Sequence, residues 1–186
     1  LSCEQEELLI GNFLADFVKN REASLLPEPV RQGIILHRKI DHYTDNHPLV
    51  RQGMRRLYPT HHKYAAVIID VFYDYFLAKN WNHYHQQGLK DFTEDIYSVL
   101  QKNLPVMPEH VQYILPRMIA DNWLRHYFTK EGLNKTFSRM KRRVSRPRWL
   151  EAAVASLARD EELLDEEFNL FFPDVIRYVK EECFCL

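Results

Sequence analysis

The sequence predicts an all-α protein, a single orthogonal bundle of about seven to nine helices that spans residues 1–186. Apolar residues recur with the helical period along most of the chain, and no stretch alternates as a half-buried strand does. Glycine is scarce, with five residues, and the nine prolines fall mostly at the boundaries of periodic segments. A chain of 186 residues is long enough to bury one sizeable core.

Five helices are predicted in the first half of the chain, over residues 6–18, 29–43, 48–58, 61–85 and 92–103. Pro27 and Pro29 separate the first two segments. Pro48 follows a polar corner and opens the third segment, because proline is tolerated in the first turn of a helix. Pro59 and Gly88 separate the later segments.

The second half predicts helices over residues 109–128, 130–144, 149–158 and 163–172, and a last one ending at Glu182. Pro105 and Pro108 precede the first of these segments. Pro147 breaks the chain after the second, and Pro173 marks the start or a kink of the last.

Composition narrows the class of protein. The chain is 46% apolar and 27% charged, which is typical of a soluble globular protein. Its net charge of −1 provides no overall field that attracts nucleic acid. No stretch approaches the ~20 apolar residues of a membrane span, and no signal peptide precedes the first helix. The odd number of cysteines, Cys3, Cys183 and Cys185, indicates reduced thiols in a cytoplasmic protein.

Two acidic residues, Asp70 and Asp74, interrupt an otherwise uncharged run from Ala65 to Leu77. Residues four apart share one face of a helix, and this helix is expected to be largely buried. Buried carboxylates are normally paired, hydrogen-bonded or bound to a metal. The expected partners are Asp16, His37, Asp41 and Asp45.

His37 and Asp41 are spaced to project from one helix face, with Asp45 one turn further on. An imidazole and a carboxylate at this spacing form half of a divalent metal site. Asp16 lies among apolar neighbours on another helix. Acidic residues on three helices therefore indicate a metal site, because a cation offsets their repulsion. A buried salt-bridge network through Arg38 is the alternative.

A basic segment follows between residues 138 and 148, with six basic side chains at Arg139, Lys141, Arg142, Arg143, Arg146 and Arg148. One interpretation is a solvated helix end that complements the helix dipole. The other is a docking surface for a phosphate, an acidic protein or nucleic acid. Few aromatic residues interleave the segment, which disfavours single-stranded nucleic acid.

Ordered motifs along the chain resemble the acyl carrier protein phosphodiesterase family, also called acyl carrier protein hydrolase. The resemblance is carried by Gly11–Val18, by Gly33–Asp41 followed by Thr44-Asp45-Asn46, and by Asp70–Leu77 with Trp81. Later matches are Trp123-Leu124 with Tyr127, and Arg146-Pro147-Arg148. The matching positions span nearly the whole chain.

This resemblance implies an HD-domain-like fold and a divergent metallohydrolase that uses Mn²⁺ or Mg²⁺. It implies removal of 4'-phosphopantetheine from the serine of holo-acyl carrier protein. Our hypothesis is that the basic segment Arg139–Arg148 binds the acidic surface expected of that carrier. The site residues that it implies are Asp16, His37, Asp41, Asp45, Asp70 and Asp74, with Arg38 as a phosphate contact. Among these residues we expect catalytic roles for Asp16, His37, Arg38, Asp41 and Asp70, and metal-site roles for Asp16, His37, Asp41, Asp45 and Asp74.

One departure from the family concerns the start of the chain. Family members generally begin with Met-Asn-Phe-Leu-Ala-His, whereas this chain opens with Leu1, so a short N-terminal piece is expected to be missing. If that histidine binds metal, the site lacks one ligand here. Two alternative functions stay open: an HD-type nucleotide phosphohydrolase, and a non-catalytic helical module that binds an acidic protein or RNA.

Overall fold

The computed structural model describes residues 5–183, and within this range every regular element is helical. The all-α prediction is therefore confirmed. Cys3 and Cys185 lie outside the described residues, so the prediction about the thiols stays a prediction. The ten α-helices of the described range are α1 Glu6–Leu14, α2 Asn20–Ala23, α3 Glu28–Asn46, α4 Pro48–His61, α5 Ala65–Lys79, α6 Trp81–Tyr84, α7 Leu89–Lys102, α8 Glu109–Ala120, α9 Lys130–Met140 and α10 Ala153–Cys183.

Two predicted helix boundaries are wrong because they were placed at prolines. Pro59 lies in the last turn of α4, and the chain leaves the helix only at His62, where φ is 50°. Pro173 lies inside α10, which continues on both sides of it. The local departure from helical geometry in α10 occurs instead at Asp160, with φ −111° and ψ 15°.

The chain forms two compact units, each built from separate stretches. The first comprises the described parts of Leu1–Asn46, Glu94–Ala120 and Phe172–Leu186. The second comprises His47–Thr93 and Asp121–Phe171. Helices α7 and α10 each contribute residues to both units. The single-domain organisation stays a prediction.

In the first unit, α1 and α3 meet backbone to backbone at Gly11 and Gly33. A Cβ atom on Gly33 would lie 2.4 Å from the carbonyl oxygen of Leu8 and 2.9 Å from the Cα atom of Gly11. A real side chain does not fit at such distances, so glycine is required for this crossing. Apolar residues of several helices pack around it, including Ile10, Leu14, Val30, Ile34, Val111 and Leu115.

Helix α5 forms the centre of the second unit. Phe72 and Phe76 are fully buried, and their rings pack 6.2 Å from Phe137 and 6.1 Å from Phe168, measured between centroids. A buried ion pair joins α4 to α10: Arg56 donates to both carboxylate oxygens of Glu167, at 2.7 and 2.9 Å. Gln52 donates a third hydrogen bond to Glu167, so this buried carboxylate is well satisfied.

The glycine contact predicts a specific loss of stability. We expect Gly33→Ala to destabilise the protein by about 1–3 kcal/mol or more, because the new methyl group collides with rigid backbone. Gly88→Ala is the matched control, since its Cβ would meet nothing closer than 3.8 Å. Urea unfolding of both variants measures the difference, and equal midpoints would contradict the close crossing.

His61 predicts how stability depends on pH. It is fully buried; its Nδ1–H donates to the carbonyl oxygen of Trp149 at 2.6 Å, and its Nε2 accepts from the hydroxyl of Ser156 at 2.8 Å. Burial lowers the pKa of His61 below its ordinary value of 6.5. The unfolded chain therefore takes up a proton more readily, and this contribution to stability is present above pH 6.5 and lost as the pH falls below it.

Replacing this histidine should weaken that dependence. We expect His61→Gln to lose less stability than the wild type between pH 7 and pH 5, since glutamine keeps both hydrogen-bonding roles without titrating. His83→Gln, at an exposed position, should keep the wild-type dependence. Thermal unfolding across this pH range gives the comparison, and parallel curves for wild type and His61→Gln would exclude the assignment.

Candidate active site

The candidate site is centred on the imidazole of His37 in α3. Its Nε2 atom lies 3.3 Å from Oδ2 of Asp41 and 3.5 Å from Oδ1 of Asp16. Its other nitrogen, Nδ1, is 2.9 Å from Oδ1 of Asn12. Because the amide oxygen only accepts, Nδ1 carries a proton and donates it to Asn12. The ring is thus held in one orientation with Nε2 directed at two carboxylates.

The crossing of α1 and α3 produces this arrangement. Asn12 directly follows Gly11, and His37 lies one helical turn beyond Gly33, so the two side chains meet beside the glycine contact. Asp16 follows the end of α1, and Asp41 lies one turn after His37 on α3. The predicted grouping of His37 with Asp41 and Asp16 is therefore present as a set of contacts.

Electrostatics make this histidine a cation in the metal-free protein. The Asp16 carboxylate, followed by that of Asp41, raises the pKa of His37 from 6.5 to about 9, against an opposing contribution from burial. At neutral pH the imidazolium proton on Nε2 therefore neutralises part of the carboxylate charge. The imidazolium is thus the positive charge that the two carboxylates share.

Burial of the carboxylates is where the sequence prediction is wrong. The side chain of His37 is 21% exposed, but those of Asp16 and Asp41 are 73% and 62% exposed. Water therefore solvates both acids, and no salt-bridge network through Arg38 is needed to neutralise them. Arg38 instead donates to Oδ1 of Asn20 at 2.8 Å.

Asp70 and Asp74 are also exposed, contrary to the expected burial. They do share one face of α5, as their spacing predicts, but the buried side chains of that helix, including Ile69, Phe72 and Phe76, occupy its other faces. Both aspartates belong to the second unit, whereas His37 belongs to the first. Their catalytic and metal-site roles stay predictions.

The donor atoms around His37 are of the types that bind divalent metal ions. Carboxylate oxygens and an imidazole nitrogen are ligands that Mn²⁺ accepts, and an acceptor on Nδ1 is the usual support for a metal-binding histidine. Within residues 5–183, no group of three or more His, Cys, Asp or Glu side chains is placed so that it could hold a metal ion. The distances of 3.3 and 3.5 Å from Nε2 are those of an ion pair, so the metal site stays a prediction. Asp45 is exposed one turn beyond Asp41.

The basic segment divides into two parts. Arg142, Arg143, Arg146 and Arg148 are exposed. Arg139 has an internal role, because its guanidinium lies 4.4 Å from the ring centroid of Trp123 and donates to Nδ1 of His126 at 2.8 Å. The exposed arginines are thus available to a partner, while Arg139 also supports the fold around Trp123.

Comparison with known proteins identifies the family. The family model for acyl carrier protein phosphodiesterase matches residues 1–175. A protein of this name from Serratia proteamaculans (strain 568) is 30% identical over 178 residues, which cover 95% of this chain and 92% of the relative. The chain belongs to the acyl carrier protein phosphodiesterase family. The resemblance stated from the sequence motifs is therefore confirmed.

Other relatives carry the same name. The protein from Yersinia pestis is 25% identical over 183 residues, covering 98% of this chain and 95% of the relative. The protein from Enterobacter sp. (strain 638) is 27% identical over 175 residues, covering 94% and 91%. No solved structure matches the chain significantly. None of the helices in the described range combines the length and the apolar character needed to cross a bilayer.

The sequence reasoning missed Asn12, although this residue lies within the first family motif. Its partner is 25 residues away, so no local spacing reveals the contact. The available signal was a polar amide at a half-buried position inside an apolar helix, next to a glycine. In this family member, Asn12 is the residue that fixes the orientation of His37.

The pKa of His37 offers a direct test of the site geometry. We expect Asp16→Asn to lower the pKa of His37 from about 9, because Asp16 makes the largest contribution to the increase. Asp45→Asn is the matched control and should leave it near 9, since Asp45 is not among the causes of the shift. NMR titration of the imidazole protons in chelator-treated protein gives both values. A similar pKa in Asp16→Asn and wild type would contradict the arrangement.

Proposed function

We propose that this protein is a metal-dependent phosphodiesterase that removes 4'-phosphopantetheine from the serine of holo-acyl carrier protein. The proposal rests on one observation: a chain of this family holds His37 against two carboxylates, with its ring fixed by Asn12. The relatives are named for phosphodiesterase action on acyl carrier protein. The net reaction adds water across the bond between phosphorus and the serine oxygen, and the phosphate leaves with pantetheine.

Asp16, His37 and Asp41 are the residues proposed to hold Mn²⁺ or Mg²⁺. A bound divalent ion supplies two kinds of chemistry, a lowered pKa of bound water and polarisation of a phosphoryl oxygen. To hold the ion, His37 would have to be neutral, so its Nε2 would first release the proton that it carries in the ion pair. Asn12 accepts from Nδ1–H in both states, so it keeps Nε2 directed at Asp16 and Asp41.

Other residues near His37 have supporting roles in the proposal. Arg38 follows His37 on α3, and its exposed guanidinium can exchange its contact with Asn20 for an oxygen of the phosphodiester. A guanidinium there stabilises charge that develops on phosphate during hydrolysis. Asp45 is proposed to orient the attacking water. The roles of Asp70 and Asp74, which belong to the second unit, stay predictions, as does the cytoplasmic location.

The exposed arginines of the basic segment are proposed to bind the acidic carrier protein. Arg142, Arg143, Arg146 and Arg148 give this surface a positive charge that complements a negatively charged partner. The contribution of such pairs falls with added salt, because exposed charges are screened. A small nucleotide substrate, the alternative class, has no need of this surface.

Turnover tests the function directly. We expect the protein with Mn²⁺ to convert holo-carrier to apo-carrier, with a mass decrease that intact-protein mass spectrometry detects and that a chelator abolishes. Asn12→Ala should lower kcat/KM by about 10–100-fold, since it removes support from a metal-binding histidine. His37→Ala should lower it further, because it removes the ligand itself.

Two controls separate this proposal from its alternatives. Asn20→Ala removes the partner of Arg38 but not the site, and should retain metal-dependent turnover within a few-fold of wild type. Nucleotide substrates run in parallel report the phosphohydrolase alternative. If holo-carrier keeps its mass after long incubation with Mn²⁺, while a nucleotide is hydrolysed or nothing is, the proposed function is wrong.

A further inference from the structure

The connecting loop between α1 and α2, residues 15–19, carries Asp16 of the candidate site. The Asp16 side chain is 73% exposed, so packing contributes little to its position. Its contact with His37, at 3.5 Å, therefore depends on the backbone that carries it. A hydrogen bond of 2.9 Å from the backbone N–H of Phe17 to the carbonyl oxygen of Leu14 closes the first turn of this loop.

A histidine of α8 contacts the connecting loop directly after Asp16. Nε2 of His110 lies 3.0 Å from the carbonyl oxygen of Phe17. A carbonyl oxygen only accepts, so this nitrogen carries a proton and donates it. Carbonyl groups at the end of a helix lack a partner within the helix, and His110 supplies one here. The two residues are 93 positions apart, so the hydrogen bond joins the loop to a separate helix of the first unit.

The same imidazole also faces the start of α2. Its Nδ1 atom lies 4.0 Å from Oε1 of Glu22. The other oxygen of this carboxylate accepts from the backbone N–H of Lys19 at 3.0 Å, which caps α2. His110 therefore lies between the two ends of the connecting loop, and it restrains the backbone on both sides of Asp16.

A further restraint reaches this region from α3, and substrate would remove it. Arg38 donates to Oδ1 of Asn20, directly after the connecting loop, at 2.8 Å. In the proposed function this guanidinium exchanges Asn20 for an oxygen of the phosphodiester. The hydrogen bond from His110 to Phe17 involves no side chain of the candidate site. It can therefore stay formed when the contact between Arg38 and Asn20 is lost.

We propose that His110 is a positioning residue, which keeps the Asp16 carboxylate beside Nε2 of His37 while Arg38 engages the phosphodiester. The effect on turnover rests on the proposed function. His110 does not touch the reacting atoms, and it acts through the backbone of Phe17. Displacement of a site group by about 1 Å can cost as much as about 100-fold in rate, so a single backbone hydrogen bond has a measurable effect here.

The test compares two replacements of His110. His110→Leu cannot donate a hydrogen bond, whereas the amide nitrogen of glutamine in His110→Gln can donate to Phe17. We expect His110→Leu to lower kcat for holo-carrier about 10-fold while KM changes less than about 2-fold. His110→Gln should recover most of the wild-type kcat. The His110 side chain is 44% exposed, so neither replacement opens a cavity in the core.

A second measurement reports the position of Asp16 without turnover. The ¹⁵N chemical shift of Nε2 in His37 senses the ion pair, and it is recorded in metal-free protein at pH 7. Asp16→Asn gives the reference value for a lost contact. We expect His110→Leu to move this resonance from the wild-type value toward that reference, and His110→Gln to leave it at the wild-type value.

Gln112→Leu is the matched control on the same helix. Gln112 also donates from its side chain to backbone carbonyl oxygens, those of Pro105 and Met107, at 3.3 and 2.8 Å. These carbonyl groups lie outside the connecting loop. Gln112→Leu should therefore keep the wild-type kcat and the wild-type resonance of His37. Circular dichroism verifies that each variant is helical.

The outcomes distinguish the two proposals. A wild-type protein that leaves holo-carrier intact overturns the proposed function, and the resonance of His37 still decides whether His110 positions Asp16. If the wild type hydrolyses holo-carrier and His110→Leu keeps both the kcat and the resonance, the positioning role is overturned and the function stands. A loss that His110→Gln does not recover, or that Gln112→Leu shares, would also overturn the positioning role.

Discussion

The backbone contact between α1 and α3 is the constraint on which the candidate site depends. With glycine at both Gly11 and Gly33, no side chain separates the helices at their crossing. Asn12 and His37 lie beside that crossing, close enough for a hydrogen bond of 2.9 Å. Any residue larger than glycine would force the helices apart and lengthen this bond. The fold and the orientation of the imidazole are therefore determined by the same two positions.

The carboxylates of the candidate site have a different kind of partner from the buried carboxylate of the core. Glu167 is buried, Arg56 neutralises its charge, and Gln52 donates a further hydrogen bond to it. Asp16 and Asp41 are largely exposed, and their common partner is a histidine that can lose its proton. Protonation of that imidazole supplies the positive charge opposite the two carboxylates, whose presence raises its pKa to about 9. An arginine in place of His37 could not release its proton in this way.

The sequence predicts what depends on local spacing and fails where tertiary packing decides. Spacing of four residues correctly placed Asp41 beside His37, and Asp70 and Asp74 on one helix face. Spacing alone could not show which face of α5 is buried. Apolar character did not decide it either, because Val67 and Leu77 of the uncharged run are only partly buried. Pro59 shows the same limit, since a proline predicts a break there but α4 continues to His61.

A dense run of basic residues in the sequence is an incomplete guide to the exposed positive charge of the folded chain. Arg139 belongs to such a run, yet its guanidinium packs on Trp123 and bonds to His126. Arg51 and Arg55 are dispersed among apolar residues of α4, yet both are exposed. The hydrogen bond from Lys63 to Ser145 joins residues 82 positions apart. Packing therefore decides which cations reach the solvent and which distant segments lie side by side.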